Sequence, residues 1–390
     1  MGTSRFQRHS RIVIAAAAVL LATAGCDGDA VLPTTTTPLP VQVSDALTDL
    51  ARSGLPGAQA VLSGPDGQHT VTGGAGNLSS GAPYADGAHI RIGSVTKTFV
   101  ATVVLQLAAE GAVDLDAPIE RYLPDVVRGN GNDGNRVTVR QLLQHTSGLP
   151  DFAPEDPSHN LPQQLDQTSD GKAYRELTPA DLVGIAMSIP PQFDPGARFH
   201  YTNTNYVLSG MLIERRTGRP LATEIGARIL EPLAMHDTYI PLAGDTGLRD
   251  PHPLGYRNVD RTWVDATDTE VAWLGAAGAM VSTGADVNRF FLALLTGKLL
   301  PAPQLAQMKQ TNPTTSDTEM NYGLGLMRSQ VPCGAEGKVK EFWGHSGSVR
   351  GFTTLAIATP DRTAATISVN TAQTNDQFST AMTTIACAIA

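Results

Sequence analysis

The chain has 390 residues, of which 41% are hydrophobic and 17% charged, and it carries a formal net charge of −9. This composition is typical of a globular protein and excludes an intrinsically disordered chain. The basic residues form no cluster, so we expect no nucleic-acid partner.

The N-terminal segment, residues 1–25, predicts export. Arginines precede the apolar run IVIAAAAVLL, and small residues follow it, which is the pattern of a secretory signal peptide. The run is short for a membrane span. The ending Ala24-Gly25-Cys26 also resembles a bacterial lipoprotein cleavage site. We therefore expect a secreted or extracytoplasmic protein, with Cys26 either discarded or lipidated as a tether to the outer face of the cell membrane.

The first elements after this segment are a linker, a helix and a hairpin. Residues 26–42 include the run TTTTPLP, whose composition cannot build a core and predicts a linker. From 43 to 390 we expect one folded domain. Within it, SDALTDLARSG, residues 44–54, predicts a helix, and GAQAVLSGPDGQHTVTGGAG, residues 57–76, predicts two strands around a Pro-Asp-Gly turn.

The middle and the end of the chain differ in pattern. Residues from about 115 to 300 are mainly helical segments and loops, including a helix closed by Gly218. Strand-like runs around the Pro360-Asp361 turn and a helix over 376–388 follow. We therefore predict an α/β (α+β) fold, in which an antiparallel sheet built from both termini is flanked by helices and carries an inserted helical lobe.

Two cysteines, Cys333 and Cys387, lie in the predicted domain. In an oxidising compartment two cysteines most simply form a disulfide. A disulfide between them would close a long loop and stabilise the fold by roughly 4 kcal/mol in the chain-entropy model. The alternative, a reactive nucleophile, has no recognisable catalytic context at either position.

The run RIGSVTKTFVATVVLQLAAEG contains Ser94 and Lys97. Residues three apart share one helix face, so the amine can reach the hydroxyl. A serine needs a base to act as a nucleophile, and burial in apolar surroundings disfavours the charged lysine. The alternative is a helix-capping serine with a solvated lysine. A second Ser-x-x-Lys, at Ser169 and Lys172, lies among polar residues, and we interpret it as an exposed loop.

Tyr201 and Asn203 form a second candidate motif. Residues two apart in an extended loop point to the same side. A phenol can move a proton, and a carboxamide both donates and accepts hydrogen bonds. The alternative is a buried aromatic residue followed by a helix N-cap.

The third candidate motif is GHSGS near the C-terminus. His345, Ser346 and Ser348 offer groups that can bind a carboxylate, and Gly347 would let a substrate backbone approach the strand. If His345 binds in its charged form, binding should weaken as the pH rises through about 6 to 7. The alternative is a glycine-rich strand with a polar rim.

Ser-x-x-Lys, Tyr-x-Asn and His-Ser-Gly follow one another in the order typical of penicillin-recognising serine hydrolases. With VTVRQLLQHTSGLPD, LGAAGAMVST and NYGLGL, the sequence from about 54 to 388 resembles the serine β-lactamase and D-alanyl-D-alanine carboxypeptidase family, closest to secreted actinobacterial DD-carboxypeptidases. The resemblance also implies the Cys333–Cys387 disulfide. In this family HTSG is a structural turn, so we expect no catalytic role for His145.

The resemblance implies a role for each motif residue. Ser94 would be the acylated nucleophile, Lys97 would assist proton removal, and Tyr201 would pass protons to the leaving group. The backbone N–H groups of Ser94 and Ser348 would form the oxyanion hole. The remaining expected substrate contacts are Asn203, His345, Ser346, Gly347, Trp273 and Trp343.

One departure from the family pattern leaves the specificity open. Peptidase relatives carry an arginine directly after GLGL, where this chain has Met327 followed by Arg328. Neighbours in a strand point to opposite faces, so Arg328 is expected to miss the site. We expect an exported D-alanyl-D-alanine carboxypeptidase that acts on cell-wall peptides and is acylated by β-lactams. The alternatives are a β-lactamase or small-ester hydrolase, and a penicillin-binding sensor that is not turned over.

Other classes of protein fit the sequence poorly. It has no Gly-x-Ser-x-Gly elbow, which argues against an α/β-hydrolase. It has neither His-Glu-x-x-His nor Cys-x-x-Cys, so we expect no metal ion and no other cofactor. We expect a monomer.

Overall fold

A computed structural model describes residues 39–152, 177–314, 320–334 and 336–390. The predicted signal peptide, Cys26 and the Ser169–Lys172 loop lie outside the described residues. In the described part the strands are β1 Gly57–Gly64, β2 Gly67–Gly74, β3 His89–Arg91, β4 Arg128–Gly129, β5 Asn132–Asp133, β6 Tyr256–Val259, β7 Thr262–Asp265, β8 Val281–Thr283, β9 Asn312–Pro313, β10 Met320–Tyr322, β11 Met327–Cys333, β12 Lys338–Val349, β13 Phe352–Ala358 and β14 Ala364–Val369.

The α-helices of the described residues alternate with these strands mainly in the middle of the chain. They are α1 Leu39–Arg52, α2 Thr96–Ala109, α3 Val139–Leu143, α4 Pro179–Met187, α5 Thr204–Thr217, α6 Leu221–Ile225, α7 Gly284–Leu295, α8 Ala302–Met308 and α9 Asp376–Ile389.

The main sheet is antiparallel and has the strand order β2-β1-β14-β13-β12-β11-β10-β9. An N-terminal strand, β1, lies beside the last strand, β14, with Ala58 opposite Val369. The hairpins β1–β2 and β13–β14 turn where the sequence predicts them. The prediction of one sheet built from both ends of the chain is confirmed.

Helices α1 and α9 cover one face of this sheet and pack against each other. Leu47 and Ile385 are fully buried there. Helix α1 begins at Leu39, five residues before the predicted start at Ser44. The disulfide between Cys333 and Cys387 joins the end of β11 to α9 and confirms the predicted pairing.

Helix α2 lies in the main core, between the sheet and the lobe. Its residues are buried from Thr96 to Leu105, because the apolar run leaves it no polar face. It contacts α5 and α6 of the lobe and α8 beyond it, and Phe99 stacks on Phe290 of α7, with ring centroids 3.7 Å apart. The helical lobe that we predicted over about 115–300 therefore packs on the helix that follows Ser94.

The lobe is not purely helical. It includes the short hairpins β4–β5 and β6–β7, and its strand β8 pairs with β3, directly before the candidate nucleophile. Among the described residues, no helix has the length and the apolar character that crossing a membrane requires.

Candidate active site

Ser94 lies in a short 3₁₀ turn that leads into α2. The turn touches strand β12 at two glycines. A Cβ atom on Gly93, whose φ is +51°, would lie 2.9 Å from the backbone nitrogen of Ser348, and one on Gly347 would lie 2.9 Å from the backbone nitrogen of Ser94. Only glycines allow so close an approach. The contact brings together the two backbone N–H groups predicted to form an oxyanion hole.

Lys97 is fully buried, and its amine has three partners. Nζ lies 3.0 Å from Oγ of Ser94, 2.9 Å from Oδ1 of Asn203 and 2.6 Å from the carbonyl oxygen of Ala277. Burial lowers the pKa of Lys97 to about 7, opposed by the negative charge of Asp151. At neutral pH a large fraction of the amine is uncharged and can accept a proton. The alternative of a solvated lysine is excluded.

Tyr201 lies beside this pair. Its ring centroid is 4.8 Å from Nζ of Lys97. Burial raises the pKa of Tyr201, and a hydrogen bond with Ser94 opposes this effect. The phenol is therefore protonated at neutral pH and can donate to a group that develops negative charge at Ser94.

His145 packs against Tyr201, with ring centroids 4.2 Å apart. It is fully buried, and its Nδ1 accepts a hydrogen bond from the backbone N–H of Thr202 at 3.2 Å. Burial lowers the pKa of His145 well below its usual range, so the imidazole is neutral. The hydroxyl of Ser147 donates to Asn205 at 2.7 Å. The HTSG segment thus has a structural role, in which His145 packs against the ring of Tyr201.

Asp151 is a site residue that the sequence analysis missed. Its Oδ2 accepts hydrogen bonds from the backbone N–H of Asn203 at 2.9 Å and from Nδ2 of the same residue at 3.1 Å. The side chain of Asn203 does not cap α5, although the residue stands at the N-cap position. A single acidic residue in a loop carries no periodic pattern, so sequence alone offered no indication of this contact.

His345 does not have the charge state that we expected. The side chain is 2% exposed, and its Nε2 forms a 2.9 Å hydrogen bond with the hydroxyl of Tyr322. Burial lowers the pKa of His345 to about 3. The imidazole is therefore neutral at pH 6 to 7, contrary to the change of charge that we expected there.

The other expected substrate contacts are unevenly placed. Ser346 is half-buried and Ser348 is exposed on β12. Trp273 is half-buried, lies 6.2 Å from Phe152 between ring centroids, and donates its indole N–H to a backbone carbonyl. Trp343 is only 4% exposed, so it offers little surface to a cleft, contrary to our expectation.

Arg328 forms an ion pair with Glu341, at 2.6 Å and 2.7 Å from the same carboxylate oxygen. Arg328 lies opposite Trp343 in the sheet register. A strand rises about 3.3 Å per residue, which places this position roughly 16 Å along β12 from Ser348. The arginine is thus engaged elsewhere. Across the residues that the structure describes, no group of three or more His, Cys, Asp or Glu side chains could hold a metal ion.

The sequence model of the family described as Beta-lactamase matches residues 43–388. The chain belongs to the beta-lactamase family. This confirms the resemblance based on the motifs. The family and its relatives identify the chain as a serine hydrolase, and the arrangement around Ser94 has the groups that acyl transfer requires.

Two solved structures are similar to this beta-lactamase-family chain over most of its length. A D-stereospecific amidohydrolase from Streptomyces sp. is 36% identical with a TM-score of 0.79, covering 90% of this chain and 99% of that one. A D-amino acid amidase from Ochrobactrum anthropi SV3 is 28% identical with a TM-score of 0.75, covering 90% and 98%.

A curated relative, esterase EstB from Burkholderia gladioli, is 37% identical over 166 residues, which is 42% of this beta-lactamase-family chain and 41% of the esterase. The chain spans less than two thirds of the length of the first curated relatives it matches.

Proposed function

We propose that this protein hydrolyses the amide bond of D-amino acid amides through an acyl-enzyme on Ser94. The observation that carries the proposal is the contact of buried Lys97 with Ser94 and Asn203. The choice of D-configured amides rests on the two similar structures, whose titles name a D-stereospecific amidohydrolase and a D-amino acid amidase.

The reaction begins with neutral Lys97, which takes the hydroxyl proton as Oγ of Ser94 attacks the carbonyl carbon. The carbonyl oxygen becomes an oxyanion, which the backbone N–H groups of Ser94 and Ser348 stabilise. Tyr201 gives its proton to the leaving nitrogen and recovers one from Lys97, so the C–N bond breaks and an ester with Ser94 remains. Water then attacks this ester by the reverse route and releases the acid.

The states of His345 and Arg328 favour a substrate that ends in an uncharged amide over one that ends in a free carboxylate. From the sequence we considered two cations for such a carboxylate, His345 and Arg328. His345 is neutral because it is buried, and Arg328 pairs with Glu341 away from Ser94. A substrate that ends in an uncharged amide needs neither cation.

D-Alanyl-D-alanine carboxypeptidase activity on cell-wall peptides is the second candidate, with acylation by β-lactams at the same serine. The hydroxyl of exposed Ser348, next to Gly347, supports it, because it can bind a carboxylate without a formal charge. Export through residues 1–25, with or without a lipid on Cys26, is part of this second proposal, since it would bring the enzyme to the cell wall.

The test compares kcat/KM for D-phenylalanine amide, L-phenylalanine amide, a D-alanyl-D-alanine tripeptide, nitrocefin and p-nitrophenyl acetate. We expect the D-amide to exceed its enantiomer by at least about 100-fold, a discrimination that a shaped pocket can supply. Ser94→Ala should abolish all turnover.

Equal rates on both enantiomers would refute the proposal. Faster hydrolysis of the tripeptide would favour the second candidate, and faster hydrolysis of nitrocefin would indicate a β-lactamase. A penicillin adduct that persists for hours would indicate a sensor.

A further inference from the structure

The carboxamide of Asn203 lies between two partners of opposite hydrogen-bonding character. Its Oδ1 accepts from Nζ of Lys97, and its Nδ2 donates to the carboxylate of Asp151. A carboxylate only accepts hydrogen bonds, and a lysine amine donates to an oxygen. Rotating the carboxamide by half a turn would place its oxygen against the carboxylate of Asp151, acceptor to acceptor. The carboxylate of Asp151 therefore determines which end of the amide faces Lys97.

The orientation of the amide decides where the lysine lone pair points. An uncharged amine has two N–H groups and one lone pair. The carbonyl oxygen of Ala277 accepts one N–H, and the Asn203 oxygen accepts the other. The lone pair is then left for the hydroxyl of Ser94 at 3.0 Å. Without the Asn203 oxygen, an N–H group could turn toward Ser94 instead.

We propose that Asp151 is a positioning residue that fixes the Asn203 carboxamide and thereby directs the lone pair of Lys97 at Ser94. The proposal rests on the acyl-transfer chemistry proposed for Ser94, but not on the substrate class. Asp151 also accepts from the backbone N–H of Asn203 directly before α5, where a negative charge is favourable. One carboxylate thus holds both the backbone and the side chain of Asn203.

The charge of Asp151 gives the proposal a direction that can be measured. The groups around the amine are the carboxylate of Asp151, the phenols of Tyr201 and Tyr206, and the imidazoles of His145 and His345. The phenols and imidazoles are neutral at pH 7 because burial raises the pKa of the former and lowers that of the latter. Among the described residues around the amine, only Asp151 contributes a charge, and it raises the pKa of Lys97 against the effect of burial.

The experiment measures the rate at which a fluorophosphonate probe labels Ser94 between about pH 5 and 9, by intact-mass spectrometry on the full chain. The probe needs no amide and no particular chirality, so the result stands even if D-amides are not turned over. In Asp151→Asn an acceptor oxygen remains but the negative charge is lost, which should lower the pKa of Lys97. The rise of the labelling rate with pH should therefore move to lower pH by about 0.5–1 unit. The labelling rate at the high-pH plateau should stay within about threefold of wild type, because the two hydrogen bonds from Asn203 are weakened rather than lost.

Three further variants complete the test. Asp151→Ala should lower the plateau at least about tenfold, because the amide is no longer held. Asp151→Glu keeps the charge and should leave the pH at which the labelling rate rises unchanged. Asp194→Asn, at an exposed carboxylate paired with Arg136, is the matched control and should change neither. Melting temperatures identify variants that fail to fold. The proposal would be overturned if the labelling rate of folded Asp151→Asn rose at the same pH as that of wild type, or if folded Asp151→Ala reached the same maximal labelling rate.

Discussion

Lys97 and His345 are basic side chains on two different elements of the site, and burial acts on both in the same direction. It lowers the pKa of Lys97 from 10.5 to about 7 and that of His345 from 6.5 to about 3. The same desolvation brings the lysine into the physiological range and takes the histidine out of it. A buried lysine can therefore serve as a base here, while a buried histidine acts as a neutral hydrogen-bonding group.

Replacing Lys97 should give the largest effect on this comparison. Lys97→Ala removes the base, and Lys97→Arg keeps a cation that does not deprotonate in proteins. We expect both to lower kcat/KM by about 10³–10⁴-fold, near the upper range for general-base catalysis. Labelling of Ser94 by the fluorophosphonate probe provides a second readout. Lys309→Ala, which removes an amine 4.5 Å from the ring of Trp343, is the control. An active Lys97→Arg would show that no proton is transferred at this position.

The contact between the Ser94 turn and β12 provides the next prediction. A Cβ in Gly347→Ala would lie 2.1 Å from the carbonyl oxygen of Ile92, so the strand must move away. The backbone N–H of Ser348 moves with it, and we expect kcat to fall by about 10²–10³-fold, as for loss of an oxyanion-hole donor. In Gly184→Ala the added Cβ would meet nothing within 4 Å, and activity should be unchanged. A fully active Gly347→Ala would argue against this oxyanion hole.

The elements that the sequence predicted well are those whose signals are local. The hairpin turns at Pro65-Asp66 and Pro360-Asp361 are set by neighbouring residues, and so is the helical spacing of Ser94 and Lys97. The placement of Asn203 in the same site as Lys97, 106 positions away, was reached only through the family resemblance, and the hydrogen bond between them was not predicted.

Two features of the site could not be predicted because they depend on tertiary packing. The strand pattern around His345 does not reveal that Tyr322 covers it, so its loss of solvent and charge was missed. Asp151 has no partner at a regular spacing, since its contact with Asn203 spans 52 positions. Motifs indicated which side chains react, whereas packing decides their charge and orientation.

The pH profiles of kcat/KM and KM should distinguish Lys97 from His345, with a smaller effect than the substitutions above. Because Lys97 must be uncharged, kcat/KM should rise with pH through about 7 and then level off. His345 stays neutral, so KM should vary by less than about twofold from pH 5 to 8. His345→Gln retains a hydrogen-bonding side chain and should leave the shape of the profile unchanged. A KM that increases steadily across this range would restore the charged role first expected for His345.

Arg328→Ala is expected to have the smallest effect and bears on the substrate rather than on the base. The ion pair with Glu341 is partly exposed, so its loss should change the free energy of unfolding by about 0–1 kcal/mol. Because Arg328 lies far from Ser94, KM for a D-alanyl-D-alanine tripeptide should change by less than about threefold, since a screened charge at that distance contributes little. Glu341→Gln is the matched variant, because it breaks the same pair while Arg328 keeps its charge. A KM increase of about tenfold or more in Arg328→Ala alone would mean that the arginine leaves Glu341 to bind the substrate carboxylate. That result would favour the carboxypeptidase over the amidase, and it would make Arg328 the cation that neutral His345 cannot be.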